Sequence, residues 1–545
     1  MHTRKIFHQA FSAAIALAMA TLLGACNDNK NVDLSGSSAN SAQRTAVIQT
    51  GSGPIQGSVS QDIREFLGIR YAAPPVGNLR WRPPQTPNKW THIKNTTQYR
   101  ARCSAGTTID LFGTTSTTED CLFLNVFTPK GVTASSKLPV MVWIHGGGLK
   151  DGSANDYNPV KLVRQGDAIV VTLNYRTNVF GFLALPGLDS EGHDFANYGI
   201  MDQQFALKWV KHNIAEFGGN PDNETIFGES AGGLSVLTNL ISPTAKGLFN
   251  NAIVESGSYT ALSTPESLAS AEANGKAFAK AVNCQSSSPS QTVACLRALS
   301  VEEIQSEASQ FVQSNASPTL DGTVLTETQR QAFESGDFNQ VPVIIGTNKD
   351  EYRNFIGLEE YGTGKAIDDA EYKARIKQSY GGNASKVLAA YPLTDYSRAD
   401  VALAAPATDS VFVCPGLRKA KLLKQKVSTY YYEFADRTAP VYQHPAPIPY
   451  GAYHSGEIQY LFKGFKGARG RETSLNDAQE KLSSDMIAYW TQFAKTGDPN
   501  TDKAPQWPSF SDDSYMSLNI PAPEAMSLSS LRQEHHCDLW DSIQP

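Results

Sequence analysis

Thr225-Ile226-Phe227-Gly228-Glu229-Ser230-Ala231-Gly232 is the stretch around which this 545-residue chain organises itself. A strand-compatible run, 225–227, leads into it, and a helix-compatible run, 231–240, leads away. A strand that turns sharply into a helix crowds two backbones together. Glycine is then needed two residues to either side of the serine, where a Cβ has no room. Such a turn lifts the Ser230 hydroxyl clear of the sheet and aims the next backbone N–H groups toward it, which is how a nucleophile is presented. With 42 glycines in the chain, the five-residue pattern alone is weak. Its weight depends on what accompanies it.

Apolar runs that fit buried strands lie on both sides of the turn, at 122–126, 140–144, 168–173 and 252–254, and again at 341–345 and 427–434. Between them Met201, Phe205, Trp209, Val210, Ile214 and Phe217 recur at close to helical spacing. Continuous apolar strands alternating with amphipathic helices predict an α/β fold, with a mostly parallel sheet covered on both faces. Segments 258–340 and 352–426 read as mixed helices and loops inserted between strands, placed to wall a site.

Length alone suggests about three domains. Hydrophobic residues make up 41% of the chain, enough for a sizeable core, and charged residues only 18%. The net charge of −6 gives no support for nucleic-acid binding.

Residues 1–25 read as an export signal rather than as part of the fold. Arg4 and Lys5 form a basic start, and the apolar stretch 10–23 is too short to span a membrane comfortably. The segment ends in Leu23-Gly24-Ala25-Cys26, which resembles a bacterial lipobox, with Cys26 as the lipidated mature N-terminus. The alternative is an ordinary secretory signal. Residues 26–44 then form the lipidated cysteine and a polar, flexible tether, and 45–545 the functional domain. Asn27, directly after the cysteine, resembles default sorting to the outer membrane. The membrane is thus an expected partner through the anchor, with nucleic acid excluded. The remaining cysteines, Cys103, Cys121, Cys284, Cys295, Cys414 and Cys537, are even in number, which in an exported chain predicts disulfides. Spacing cannot choose among the pairings.

A serine nucleophile needs a base to take its proton, an acid to orient that base, and N–H donors for an oxyanion. His145-Gly146-Gly147-Gly148 directly follows the predicted strand 140–144. Consecutive glycines there let backbone N–H groups approach a ligand closely. Glu351 lies just beyond the predicted strand 341–345, and Asp350 competes with it for the role of acid. The base is expected beyond the acid. His454, placed after the last predicted strand, is the candidate. His444 stands among Pro440, Pro445, Pro447 and Pro449 and reads as a loop residue. His535 and His536 adjoin Cys537 but lack the spaced ligands of a zinc motif. No metal and no cofactor is predicted.

With these parts in order, the chain resembles the type-B carboxylesterases of the cholinesterase-like family, from about Val47 to the C-terminus. The resemblance is carried by Phe66-Leu67-Gly68-Ile69-Arg70-Tyr71-Ala72-Ala73-Pro74-Pro75-Val76-Gly77 and by Glu119-Asp120-Cys121-Leu122-Phe123-Leu124-Asn125. Asn174-Tyr175-Arg176, Phe217-Gly218-Gly219-Asn220-Pro221, Gly497-Asp498-Pro499-Asn500 and Trp507-Pro508 add to it. It implies one large α/β-hydrolase domain with an active-site gorge, in place of the three suggested by length. It selects Glu351 as acid and His454 as base for Ser230, and marks Gly147, Gly148 and Ala231 as oxyanion donors. Glu229 is implied as a carboxylate beside the nucleophile, and Ser256 as a support for the acid. The implied disulfides are Cys103–Cys121, Cys284–Cys295 and Cys414–Cys537.

The sequence departs from the family pattern at Glu224, where an apolar residue is usual, and at Arg70, where proline is customary. In cholinesterases the loop closed by the first disulfide carries a tryptophan that holds choline by cation–π attraction. Here 104–120 contains only Phe112 as an aromatic, which argues against choline esters. After Glu351 come Tyr352-Arg353-Asn354-Phe355. Arg353 and Phe355 are candidate substrate contacts, Arg353 for substrates bearing a carboxylate. The expected function is hydrolysis of small-molecule carboxylic esters through an acyl-enzyme. The same fold also serves lipases, polyester hydrolases and amidases. A non-catalytic cholinesterase-like binding protein typically lacks the serine or histidine that this chain retains.

Overall fold

The computed structural model describes residues 43–544 apart from 61, 106–114, 193–195, 260–264, 316 and 468–469. The export signal, Cys26 and Phe112 lie outside the described residues. A twelve-stranded sheet carries the chain. In sequence order its strands are β1 (Gln43–Arg44), β2 (Ser58–Ser60), β3 (Ile63–Arg70), β4 (Phe123–Pro129), β5 (Leu138–Ile144) and β6 (Ile169–Leu173). They continue as β7 (Gly219–Glu229), β8 (Asn251–Glu255), β9 (Val343–Asn348), β10 (Thr429–Phe434), β11 (Ser514–Leu518) and β12 (Glu524–Ser527). Across the sheet the order is β1-β2-β3-β4-β6-β5-β7-β8-β9-β10-β11-β12. The run from β6 to β11 is parallel. Antiparallel strands finish both edges.

The central strands are apolar throughout because both faces are covered. In β5, Val140, Val142 and Ile144 enter one core, while Met141 and Trp143 enter the other. This follows from the two-residue repeat of a strand. On the second face the helix Asp477–Thr496 starts at a capping box of Asn476 and Gln479. Its Trp490 indole N–H reaches through to Glu255 at 2.8 Å.

The predicted central strands all form, with ends shifted by a few residues. Three features differ from the sequence reading. β7 begins at Gly219, well before the apolar run, because it resumes pairing with β5 across a register shift between Gly219 and Glu224. The N-terminal antiparallel strands were not anticipated as strands. His454 does not follow the last strand, since β11 and β12 come after it. β12 is exposed along its whole length, so no apolar alternation marks it.

Both inserted segments are helical. Segment 258–340 contributes Leu268–Ala281, Pro289–Ala298, Val301–Asn315 and Gln329–Ser335. Segment 352–426 includes Arg353–Thr363, Ala399–Ala407 and Cys414–Leu423, with the last two joined by a π-helical stretch, Thr408–Val413. Pro406 lies inside the first of that pair and cannot donate to the helical ladder. The disulfides Cys103–Cys121, Cys284–Cys295 and Cys414–Cys537 are formed, with Cα separations of 4.8, 5.4 and 5.4 Å. Among the described residues no helix is long and apolar enough to cross a membrane.

Candidate active site

The parallel strands end on one edge, and the chemistry-bearing residues collect there. His145 follows β5, Ser230 follows β7, Ser256 follows β8, and Asp350 and Glu351 lie just beyond β9. Ser230 sits between strand and helix at φ 59°, ψ −124°, a backbone region that a non-glycine residue enters only when its surroundings force it. Close packing supplies the force. A Cβ at Gly228 would stand 2.5 Å from the Ile144 carbonyl oxygen, and one at Gly232 would clash with the same atom. Ala231 opens the helix Ala231–Ile241, so its N–H has no acceptor within that helix.

His454 joins the serine to the acid. Its Nε2 is 2.9 Å from Ser230 Oγ, and its Nδ1 is 2.6 Å from Glu351 Oε2. The Glu351 side chain is fully buried, and its second oxygen accepts from the Asn348 N–H at 2.9 Å. Ser256, implied as the support for this acid, has a buried hydroxyl with no hydrogen-bond partner. The support comes from the Asn348 backbone instead. Asp350 points elsewhere. It binds Arg437 at 2.8 and 3.0 Å, Arg353 at 2.8 Å and the Ala452 N–H at 3.0 Å. Burial opposes its charge, yet these two arginines hold its carboxyl below the usual range.

Arg353 is therefore engaged by Asp350 and by the Pro449 carbonyl at 3.2 Å, and it offers no free cation to a substrate. Phe355 packs beside His454, the two rings 5.2 Å apart. Two further aromatics went unnoticed in the sequence. Phe412, delivered by the π-helical stretch, lies 5.1 Å from the His454 ring, and Tyr259 packs edge-on against Phe412 at 5.0 Å. The Tyr259 hydroxyl is in hydrogen-bond contact with Ser230 Oγ. No motif marks either residue. The π-helix is the one local signal, since such stretches are frequent at functional sites.

The glycine run is rigidly set. Gly147 and Gly148 have φ of 102° and 65°, and a Cβ on Gly147 would lie 2.5 Å from the Asp151 carbonyl oxygen. Burial lowers the His145 pKa to about 4, so the ring is neutral. It stacks on Tyr175 at 4.3 Å, and the Tyr175 hydroxyl donates to the His145 carbonyl at 2.9 Å. Beneath the imidazole, Glu229 Oε1 stands 3.2 Å from His454 Nε2. Burial, reinforced by the neighbouring carboxyls, raises the pKa of Glu229 and Glu457 well above the usual range, and burial raises that of Glu255 to about 8.

The other histidines are structural in their contacts. His444 stacks on Tyr361 at 4.2 Å. His535 is clamped between Asp409 at 2.5 Å and Glu433 at 2.7 Å. Against its burial, these two acids raise its pKa to about 10. Glu433, Glu534 and His535 lie close enough to share a cation. Lys349 already serves that purpose, at 2.6 Å from Glu534 and 3.4 Å from Glu433. Arg70, the departure from proline, pairs with Asp120 at 2.6 Å and covers the Phe123 ring at 4.5 Å.

Sheet, elbow serine and edge-of-sheet histidine together define an α/β-hydrolase. The sequence matches the carboxylesterase family over residues 44–540, and the chain belongs to that family. It is a carboxylic ester hydrolase. It is 34% identical over 489 residues to the para-nitrobenzyl esterase of Bacillus subtilis (strain 168), spanning 87% of this chain and 94% of that enzyme. Over 513 residues it is 33% identical to the human (Homo sapiens) cocaine esterase, spanning 89% of this chain and 88% of the relative. Among solved structures, a PNB esterase superposes with a TM-score of 0.74 at 32% identity, covering 90% of this chain and 99% of that one.

Proposed function

We propose that this enzyme cleaves small-molecule carboxylic esters through an acyl-enzyme on Ser230, with His454 as base and Glu351 as its orienting acid. The observation that carries this reading is the unbroken relay from Glu351 through His454 to Ser230, at 2.6 and 2.9 Å. A carboxylate on Nδ1 fixes the tautomer in which Nε2 carries the lone pair. Nε2 takes the Ser230 proton as Oγ attacks the ester carbonyl. The backbone N–H groups of Gly147, Gly148 and Ala231 receive the oxyanion, each such donor contributing about 3 kcal/mol to lowering the barrier. His454 returns the proton to the departing alcohol, and water then hydrolyses the acyl-enzyme by the same steps.

Ser230→Ala tests the reading. Turnover of aryl esters should vanish while the melting temperature stays within a degree or two of the parent. Activity near that of the parent would sink the assignment. With Arg353 tied to Asp350, esters bearing a carboxylate should gain no advantage over neutral esters of the same size.

We also propose export and lipidation at Cys26. Support comes from Leu23-Gly24-Ala25-Cys26 and from the pairing of all the other cysteines into disulfides, which suits an oxidising compartment. Cys26→Ser should move the esterase from the detergent phase to the aqueous phase on partitioning. Unchanged partitioning would overturn the anchor.

A further inference from the structure

The Tyr259 hydroxyl meets Ser230 Oγ, the atom that attacks and later departs. Its ring is fixed edge-on to Phe412 at 5.0 Å and stands 6.3 Å from the His454 ring. Behind it, the buried Lys419 Nζ donates to the Ser258 carbonyl at 3.1 Å, tying this segment to the helix Cys414–Leu423. The position is thus held from the side chain and from the backbone. Burial, with Glu229 adding to it, pushes the phenol pKa well above 10, so the hydroxyl keeps its proton and acts as a donor.

We propose that Tyr259 is a further catalytic residue, whose hydrogen bond to Ser230 Oγ speeds breakdown of the acyl-enzyme more than its formation. This rests on the acyl-enzyme reading above. A serine oxygen has three directions free of Cβ. His454 occupies one, Tyr259 a second, and the third remains for the acyl carbon.

The effect follows from what Oγ becomes at each stage, because only a contact stronger in the transition state than in the preceding ground state raises a rate. In the resting enzyme Oγ is a hydroxyl and already accepts well from Tyr259, so acylation gains little. In the acyl-enzyme Oγ is an ester oxygen, a poor acceptor. During deacylation water adds to the acyl carbon and gives its proton to His454. The C–Oγ bond then breaks, its electron pair goes to Oγ, and the proton on Nε2 passes to Oγ. As that bond breaks, Oγ acquires alkoxide character and the Tyr259 hydrogen bond strengthens, being then made to a charged acceptor. Tyr259 keeps its own proton throughout.

Tyr259→Phe retains the ring and its packing on Phe412 while removing the donor. The test is stopped-flow hydrolysis of 4-nitrophenyl and phenyl acetates, with the acyl adduct on Ser230 followed by mass spectrometry after a rapid quench. The deacylation rate should fall about tenfold, the scale of one lost hydrogen bond to a charged oxygen, with kcat/KM held within about threefold. A burst should grow, kcat should become independent of the leaving alcohol, and the adduct should accumulate. An adduct that breaks down at the parental rate would overturn this role and leave the acyl-enzyme reading intact. Equal falls in kcat and kcat/KM would also overturn it. If the parent itself forms no adduct on Ser230, the acyl-enzyme reading fails and this role falls with it. Should Tyr259→Phe fold poorly, the same pair of rates for Phe412→Leu, which loosens the ring but keeps the hydroxyl, must show the same selective loss.

Discussion

Glu229 Oε1 lies 3.2 Å from His454 Nε2, the ring nitrogen that also faces Ser230 Oγ at 2.9 Å. Burial, and after it the adjacent Glu457, Glu351 and Glu255, raise the pKa of this carboxyl well above the usual carboxylate range, while Glu351 is the carboxyl nearest the imidazole, at 2.6 Å. A second full negative charge beside the His454 ring is thereby disfavoured.

Glu229→Gln should on this account change kcat/KM least at the acid end of the pH profile, where the carboxyl is neutral in the parent. As pH rises and Glu229 ionises in the parent, its charge stabilises the imidazolium of the transition state. The parent should then gain on the variant, a divergence that kcat/KM profiles from pH 6 to 10 would reveal. A gap between parent and variant that stays constant across that range would contradict this.

Glu351 and Asp350 adjoin in sequence but differ in what they touch. Glu351→Gln should lower kcat by about 10³–10⁴, the size of effect seen when a base loses its orienting carboxylate. Asp350→Asn should leave kcat nearly unchanged but lower Tm, since Arg437 and Arg353 lose their shared partner. Steady-state kinetics and thermal melts on the two variants check both halves, and a reversed pattern would reassign the acid.

Glu224 is fully buried in β7, and neither carboxyl oxygen has a hydrogen-bond partner. Burial raises its pKa to about 9, far above the usual glutamate value. A folded-state pKa above the unfolded one means that this group's contribution to stability is fully present below its unfolded pKa and is lost progressively as pH rises toward 9. Glu224→Gln removes the titration, so its Tm should fall less than that of the parent between pH 6 and 9. Glu224→Leu should be the more stable of the two variants, because it buries no unpaired polar group. Parallel pH dependence of Tm in parent and variants would contradict this.

Periodicity and local sterics were legible in the sequence. Apolar runs located the central strands, and glycines two residues either side of Ser230 marked the elbow. The chain order of acid and histidine left His444, His454, His535 and His536 as candidates, among which the family resemblance selected His454, and the glycine run after β5 marked a place where backbone could approach a ligand. The edge strand β12 left no signal, because an exposed strand has no face to bury. The choice between Asp350 and Glu351 could not be read from the residues alone. Adjacent residues diverge in direction, and only the arginines packed on Asp350 show which way each one turns.

The sequence by itself determined the fold class and placed Ser230 on the strand-to-helix turn, since both rest on patterns that span a few neighbouring residues. Tertiary structure decided the rest of the site. Glu351 and His454 meet across 103 residues of chain, and His454 and Ser230 across 224. Tyr259 and Phe412 arrive from different inserted segments, and Arg353 is held by Asp350. These contacts depend on strand order and on how helices seat against the sheet. Long-range packing fixes both, and no local run of residues encodes them.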